Sequence, residues 1–120
     1  MYIGKAAQLS GTTVKGIRHY EEIGLLPKPK RKGKYRTYSL QSVEILTFIK
    51  CAQKLGFKLK ELQVILSHHH GKKFPWELAQ KAIAEKKAEL LSQISALQQL
   101  YDGLVALENN PGECPCGAAF

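Results

Sequence analysis

The period of the apolar positions changes along this chain, and each change marks a boundary between elements. From Ile3 to Leu9 the apolar side chains recur at helical spacing, and Ser10-Gly11 then supplies a tight turn. A second helical pattern runs from about Thr13 to Ile23, with Thr12 or Thr13 as N-cap. Val14, Ile17, Tyr20 and Ile23 share one face and are expected to pack inward, which turns Lys15, Arg18, His19 and Glu22 elsewhere. The pattern ends at Gly24, and Pro27 prevents its restart because proline lacks the N–H donor and clashes with the preceding turn. Gly16 interrupts the second helix at a cost of up to about 1 kcal/mol relative to alanine. Either a partner's close approach to the backbone requires it, or the helix simply tolerates it.

The next segments use other periods. Lys30-Arg31-Lys32-Gly33-Lys34 places four cations around a glycine turn, and Tyr35-Arg36-Thr37-Tyr38 alternates as a strand does. Together they predict a short two-stranded wing. A third helix is expected to begin within Ser39–Ser42 and run from about Ser42 to Leu55, with Val43, Leu46, Ile49 and Lys50 at steps of three to four and Gly56 as its stop. A fourth runs from about Leu59 to His68, with Leu59, Leu62, Val64, Ile65 and Leu66 as its apolar set. Two short helices joined by a tight turn and followed by a basic ribbon suit a DNA groove and its flanking phosphates.

From Pro75 to Glu108 the repeat lengthens. Trp76, Ile83, Leu90, Leu97 and Leu104 recur every seven residues, with Ile94, Leu100, Tyr101 and Leu107 filling the intervening steps. Pro75 suits the first turn of this long helix. Such a seam is expected to pair with a second copy of the chain. The alternative, a core helix of a monomer, is disfavoured because too few other apolar residues remain to cover it.

The 120 residues therefore partition into a head at 1–70, a pairing helix at 71–109 and a short cysteine-containing tail at 110–120. The net charge of +8 sharpens this division. Residues 1–70 hold 13 Lys and Arg against 4 Asp and Glu, whereas residues 71–120 hold 5 against 6. The surplus is confined to the half that carries the helix-turn-helix pattern, which favours attraction to phosphates over a merely solubilising surface. No apolar run approaches a membrane span, no signal pattern opens the chain, and no lipid-facing amphipathic helix accompanies the basic head. A cytoplasmic protein without a membrane partner is expected. Three cysteines do not suggest a disulfide-stapled fold. The ten acidic residues are scattered, and no nucleophile stands with a base, so an enzyme is not expected. A basic module that binds nucleic acid without sequence preference stays open as an alternative.

The runs AAQLSG and IRHYEEIGLL, then YRTYS and FIKCAQKLGFKLKEL, resemble the N-terminal domain of the MerR family of bacterial transcription regulators over roughly residues 2–66. The resemblance implies a mainly α fold, with a winged helix-turn-helix head followed by a long dimerisation helix in an antiparallel coiled coil. It implies a homodimer on double-stranded promoter DNA, acting with RNA polymerase. The promoter elements would be spaced too widely for polymerase, and effector binding would kink and untwist the DNA to realign them. On this likeness Lys15 faces the major groove. Arg18 and Tyr20 match an arginine-x-tyrosine signature on the recognition helix, where arginine can grip two phosphate oxygens or a guanine edge. Tyr20 either donates to a phosphate, or serves only the core, or does both. His19 occupies a position where the family usually has an aromatic. Lys34, Tyr35 and Arg36 match the wing signature and would grip phosphates, which position the protein without reading sequence. Lys58 stands where the family usually places a small hydroxyl N-cap, a departure that weakens the cap.

The remaining chemistry lies with the thiols. Cys114 and Cys116, with Pro115 between them, can bind a soft metal ion or form a strained redox pair. In copper- and zinc-sensing members of the family two cysteines flank a loop after the long helix. Here that loop resembles a shortened one with Asn110 in the first cysteine position and Cys114 in the second. The thiol that mercury and zinc sensors carry near the start of the long helix is absent around Trp76. A Cu(I)-like ion needs only two thiolates, whereas tetrahedral coordination would require help from His68, His69 or His70. An incidental tail is the plain alternative. Those three histidines are expected to form a polar helix end. Cys51 is expected near the inner face of the third helix beside Leu46 and Leu55, as a small buried hydrophobe. Its place also resembles that of the thiol in electrophile-responsive family members, and Lys50 and Lys54 would lower its pKa if it were exposed.

Overall fold

Residues 1–67 and 74–112 are described by a computed structural model of the chain. Among them lie α1 (Ile3–Ser10), α2 (Val14–Glu22), β1 (Lys30–Lys32), β2 (Tyr35–Thr37), α3 (Leu40–Lys54), α4 (Leu59–Leu66) and α5 (Trp76–Asn109). The mainly α architecture expected from the hydrophobic pattern is thus observed, and the wing is the one sheet among the described residues. The chain divides into two compact units, Met1–Ala82 and Ile83–Phe120, with the boundary inside α5.

In the first unit, α1 and α2 meet at a turn built by local hydrogen bonds. Ser10 is buried, and its hydroxyl donates to the Ala6 carbonyl at 2.7 Å and lies 2.6 Å from the Thr12 hydroxyl. Thr13, rather than Thr12, caps α2, its Oγ1 accepting from the Gly16 N–H at 2.9 Å. A Cβ on Gly16 would lie 3.1 Å from Thr13 Oγ1, a tight contact with the capping oxygen. At the far end Gly24 adopts φ 80° and closes α2 as a Schellman motif, with Leu25 N–H donating to the Tyr20 carbonyl and Gly24 N–H to that of Glu21. Leu25 and Leu26, just beyond the turn, are buried, so the stop also anchors the chain.

The core of this unit comprises Ala6 and Ala7 of α1, Ile17 and Tyr20 of α2, Ile45, Leu46, Ile49 and Ala52 of α3, and Leu62, Ile65 and Leu66 of α4. Helix α3 starts at Leu40, two residues before the expected Ser42, because Ser39 Oγ caps it by accepting from the Ser42 N–H. The expectation for Cys51 is corrected. Its side chain is exposed, and so is Leu55. The inward stripe of α3 runs Ile45-Ile49-Ala52 at steps of four and three, and Cys51 lies about 100° around the helix from Ala52. Val64 is likewise exposed, because Leu62, Ile65 and Leu66 already fill the inner face of α4. Val43 and Lys50 are half-buried.

Helix α4 ends at Leu66, two residues before the expected stop, and starts after Lys58. The Lys58 side chain makes no cap, as its chemistry requires. Glu61 compensates by reaching back to accept from the Lys58 backbone N–H at 2.9 Å. Phe48 of α3 meets Phe74 edge-on with ring centroids 4.8 Å apart, and Phe74 lies 6.1 Å from Trp76.

The second unit consists, as far as it is described, of the remainder of α5 and the residues to Gly112. It carries most of the heptad seam unburied. Leu90, Ile94, Leu97, Leu100, Tyr101 and Leu104 are exposed in the single chain, and Ile83 and Leu107 are half-buried. Among the described residues of this unit no other element covers that apolar surface, which fits pairing with another chain. No helix among the described residues is long and apolar enough to cross a membrane. His68, His69 and His70, with Cys114 and Cys116, fall outside the described residues.

Candidate nucleic-acid interface

The wing is built from cationic and polar side chains that no core would accept. β1 and β2 pair antiparallel, with Lys30 opposite Thr37, Arg31 opposite Arg36 and Lys32 opposite Tyr35. Gly33, at φ 64°, opens the connecting turn. Two like-charged arginines face each other in this ladder, which destabilises an isolated hairpin. Three interactions counter that cost. Thr37 Oγ1 donates to the Lys30 carbonyl, Tyr2 bridges to Thr37, and the Met1–Tyr38 backbone pair closes at 2.7 and 3.0 Å. The chain start therefore adds a short edge to the wing, and the Tyr2 and Tyr35 rings stand 5.6 Å apart. Nothing in the hydrophobic pattern announced that pairing.

Between α2 and the wing opens a cleft lined by Arg18, Lys28, Arg31, Lys34 and Arg36, with Tyr2, Tyr35, Glu21 and Glu22 also on its walls. Five cations against two carboxylates make it a site for polyanion, and phosphate oxygens are the matching chemistry. Of the residues expected from the sequence, Arg18, Lys34, Tyr35 and Arg36 come together here. Lys15 and His19 are exposed on α2 but do not line the cleft. Tyr20 is buried, and its hydroxyl donates to Gln53 Oε1 at 2.9 Å, so it joins α2 to α3. Gln63 ties α4 to the same helix by donating to the Ile23 carbonyl at 2.9 Å. Helix α2 is thus held from behind while its cationic face stays open.

Glu21 is the residue that sequence reasoning missed. Its carboxylate accepts from Arg36 Nη1 at 2.7 Å through one oxygen and from the Tyr38 hydroxyl through the other. The Glu21 side chain keeps only 7% of its surface open, against 41% for Arg36. Burial and the adjacent carboxylate push the Tyr38 hydroxyl up to about 12, burial contributing more. The interaction spans 15 residues from Glu21 to Arg36, and only folding brings the two together. Lys28 and Arg31 were visible in the basic run, but their place in the cleft was not. Among the described residues no three His, Cys, Asp or Glu side chains are grouped to hold a metal ion.

Comparison with known proteins agrees with this geometry. Residues 1–69 match the family model described as MerR HTH family regulatory protein, and residues 43–107 match the one described as MerR, DNA binding. The HTH-type transcriptional regulator CueR of Salmonella typhimurium is 36% identical over 121 residues, covering 96% of this chain and 88% of that protein. The mercuric resistance operon regulatory protein of Bacillus cereus is 48% identical over 65 residues, 53% of this chain and 49% of that one. The crystal structure of the transcription regulator PbrR691 from Ralstonia metallidurans CH34 in complex with lead(II) superposes with a TM-score of 0.67 at 24% identity, covering 95% of this chain and 94% of the other. That last likeness concerns the fold.

Proposed function

The chain belongs to the MerR family of helix-turn-helix regulatory proteins, and we propose that its cationic cleft seats promoter DNA while a soft metal ion at the C-terminal thiols controls the outcome. Like its relatives it is a DNA-binding transcription regulator and not an enzyme. The observation that carries the DNA reading is the cleft itself, where Arg18 from α2 and Lys34 and Arg36 from the wing converge on one wall-to-wall polyanion site. Lys15 and His19 on the open face of α2 are assigned to the major groove. Arg18, Lys34, Tyr35 and Arg36 are assigned to backbone phosphates. Tyr20 is assigned a packing role through Gln53, with its ring setting the height of the helix. The exposed seam of α5 pairs two chains, so that two heads meet two half-sites of an inverted repeat. Contact energy then offsets a DNA deformation cost on the order of 1–6 kcal/mol, and RNA polymerase engages the realigned promoter.

A metal effector is the reading supported by relatives named as heavy metal-dependent and mercuric resistance regulators. For this chain the finer assignment is a Cu(I)-like ion held by Cys114 and Cys116, because two thiolates suffice for a soft monovalent ion. Cu(I) titrated into the reduced protein, bound to DNA that the protein has selected from a random pool, tests this. Wild type should change the DNA complex at one ion per chain, and Cys114→Ser should not. A Cys114→Ser protein that responds normally removes the assignment. The exposure of Cys51 favours a second reading, response to electrophiles or oxidants through that thiol. Cys51→Ser in the same experiment, with an alkylating agent in place of Cu(I), separates the two.

A further inference from the structure

We infer that Glu21 is a positioning residue for DNA binding: its carboxylate clasps the wing onto α2 and aims the Arg36 guanidinium into the cationic cleft. The inference rests on the DNA reading above and adds a residue to it. Arg36 and Tyr38 are two apart on an extended segment, so their side chains leave on the same side of the backbone. Both reach one carboxylate, Arg36 Nη1 to Oε2 at 2.7 Å and the Tyr38 hydroxyl to Oε1. The carboxylate is nearly closed off at 7% exposure, while Arg36 stays 41% exposed. A guanidinium carries five N–H donors in a rigid fork. Glu21 engages one of them, the Tyr38 hydroxyl also lies against the guanidinium, and Arg36 lines a cleft that Arg18, Lys28 and Lys34 share. Holding one arm of the fork fixes the direction of the others.

Two effects of Glu21 on a bound phosphate oppose each other. Its negative charge repels the phosphate, and its clasp orients Arg36 toward it. Pairing to Arg36 offsets much of that negative charge, and the carboxylate keeps only 7% of its surface open. The orienting effect acts at hydrogen-bond distance on a side chain that otherwise samples many rotamers. Orientation therefore dominates, and removal of the charge should weaken DNA binding. Simple charge counting predicts the opposite.

Fluorescence anisotropy of a labelled mixed-sequence DNA duplex, titrated with full-length protein over a salt series, decides between them. Glu21→Gln should weaken binding several-fold and reduce the slope of log K against log salt by about 0.9 for each phosphate no longer neutralised. Added to Arg36→Ala it should cost nothing further, whereas added to Lys34→Ala it should cost its full factor. Binding by Glu21→Gln as tight as wild type or tighter overturns the inference, as does weakened binding with an unchanged salt slope. Arg36→Lys covers the case in which Glu21→Gln does not fold. It keeps the charge but loses the fork, so it should resemble Arg36→Ala, and wild-type affinity there also overturns the inference. A wild-type protein that ignores the duplex altogether defeats the DNA reading itself, an outcome distinct from all of these.

Discussion

Replacing Leu97 with alanine should dissociate the homodimer while leaving α5 helical. Leu97 is one of the heptad positions of the seam and keeps 65% of its surface exposed in the single chain, surface that pairing can bury. The substitution removes three carbons worth about 0.8 kcal/mol each when buried, so scaling by that exposure leaves about 1.6 kcal/mol per copy. An isologous dimer contains the site twice, which makes about 3 kcal/mol in total. At 1.4 kcal/mol per decade this weakens the dimer on the order of 10²-fold in Kd. Any cavity left in the interface adds to the destabilisation. Alanine is the strongest helix former, so the effect cannot be assigned to unravelling of α5. Sedimentation equilibrium across protein concentration measures the dimer Kd, and far-UV circular dichroism checks the helix. Gln99→Ala serves as the control, since two residues along place it about 200° around the helix from Leu97. An unchanged Kd for Leu97→Ala, or an equal weakening for Gln99→Ala, would refute the seam as the dimer interface.

Two further outcomes are expected. Arg36→Ala should weaken binding to every DNA sequence alike and flatten the salt dependence by about 0.9 per phosphate released from the protein, read by anisotropy on several unrelated duplexes; sequence-selective weakening would instead assign Arg36 to a base edge. The Tyr38 hydroxyl ionises near 12 in the folded chain against its ordinary value of 10. Between those values the unfolded chain ionises first, so the contribution of Tyr38 to stability is fully present below pH 10 and is lost as pH rises toward 12, by at most about 3 kcal/mol. Chemical denaturation at stepped pH should show that alkaline decline in wild type and a shallower one in Tyr38→Phe; equal slopes would disconnect it from this residue.

How much of the site was legible follows from the range of the interactions involved. Arg18, Lys34, Tyr35 and Arg36 could be nominated because they lie in short segments whose period and charge are visible locally, and the structure gathers those four on one cleft. Tyr20 looked equally suited to a core and to a phosphate, and its bond to Gln53, 33 residues away, placed the hydroxyl inside the protein. Cys51 was misplaced because periodicity fixes a helical face only to within a residue or so, and Ala52 occupies the inward position instead. Glu21 had no local signal, since an acidic residue on an amphipathic helix ordinarily means solvent.

Local order along the chain was enough to establish the succession of helix, turn, helix, wing and long rod, because propensity, capping and hydrophobic period act over a few residues. Thr13, Gly24 and the heptads from Leu90 to Leu104 each state their role in their own neighbourhood. Folding in three dimensions settled the pairings between distant segments: the Met1–Tyr38 pairing that widens the wing, the inward choice of Ala52 over Cys51, and the grip of Glu21 on Arg36 and Tyr38. Those depend on burial and on distances through space, to which the spacing of residues along a chain is blind.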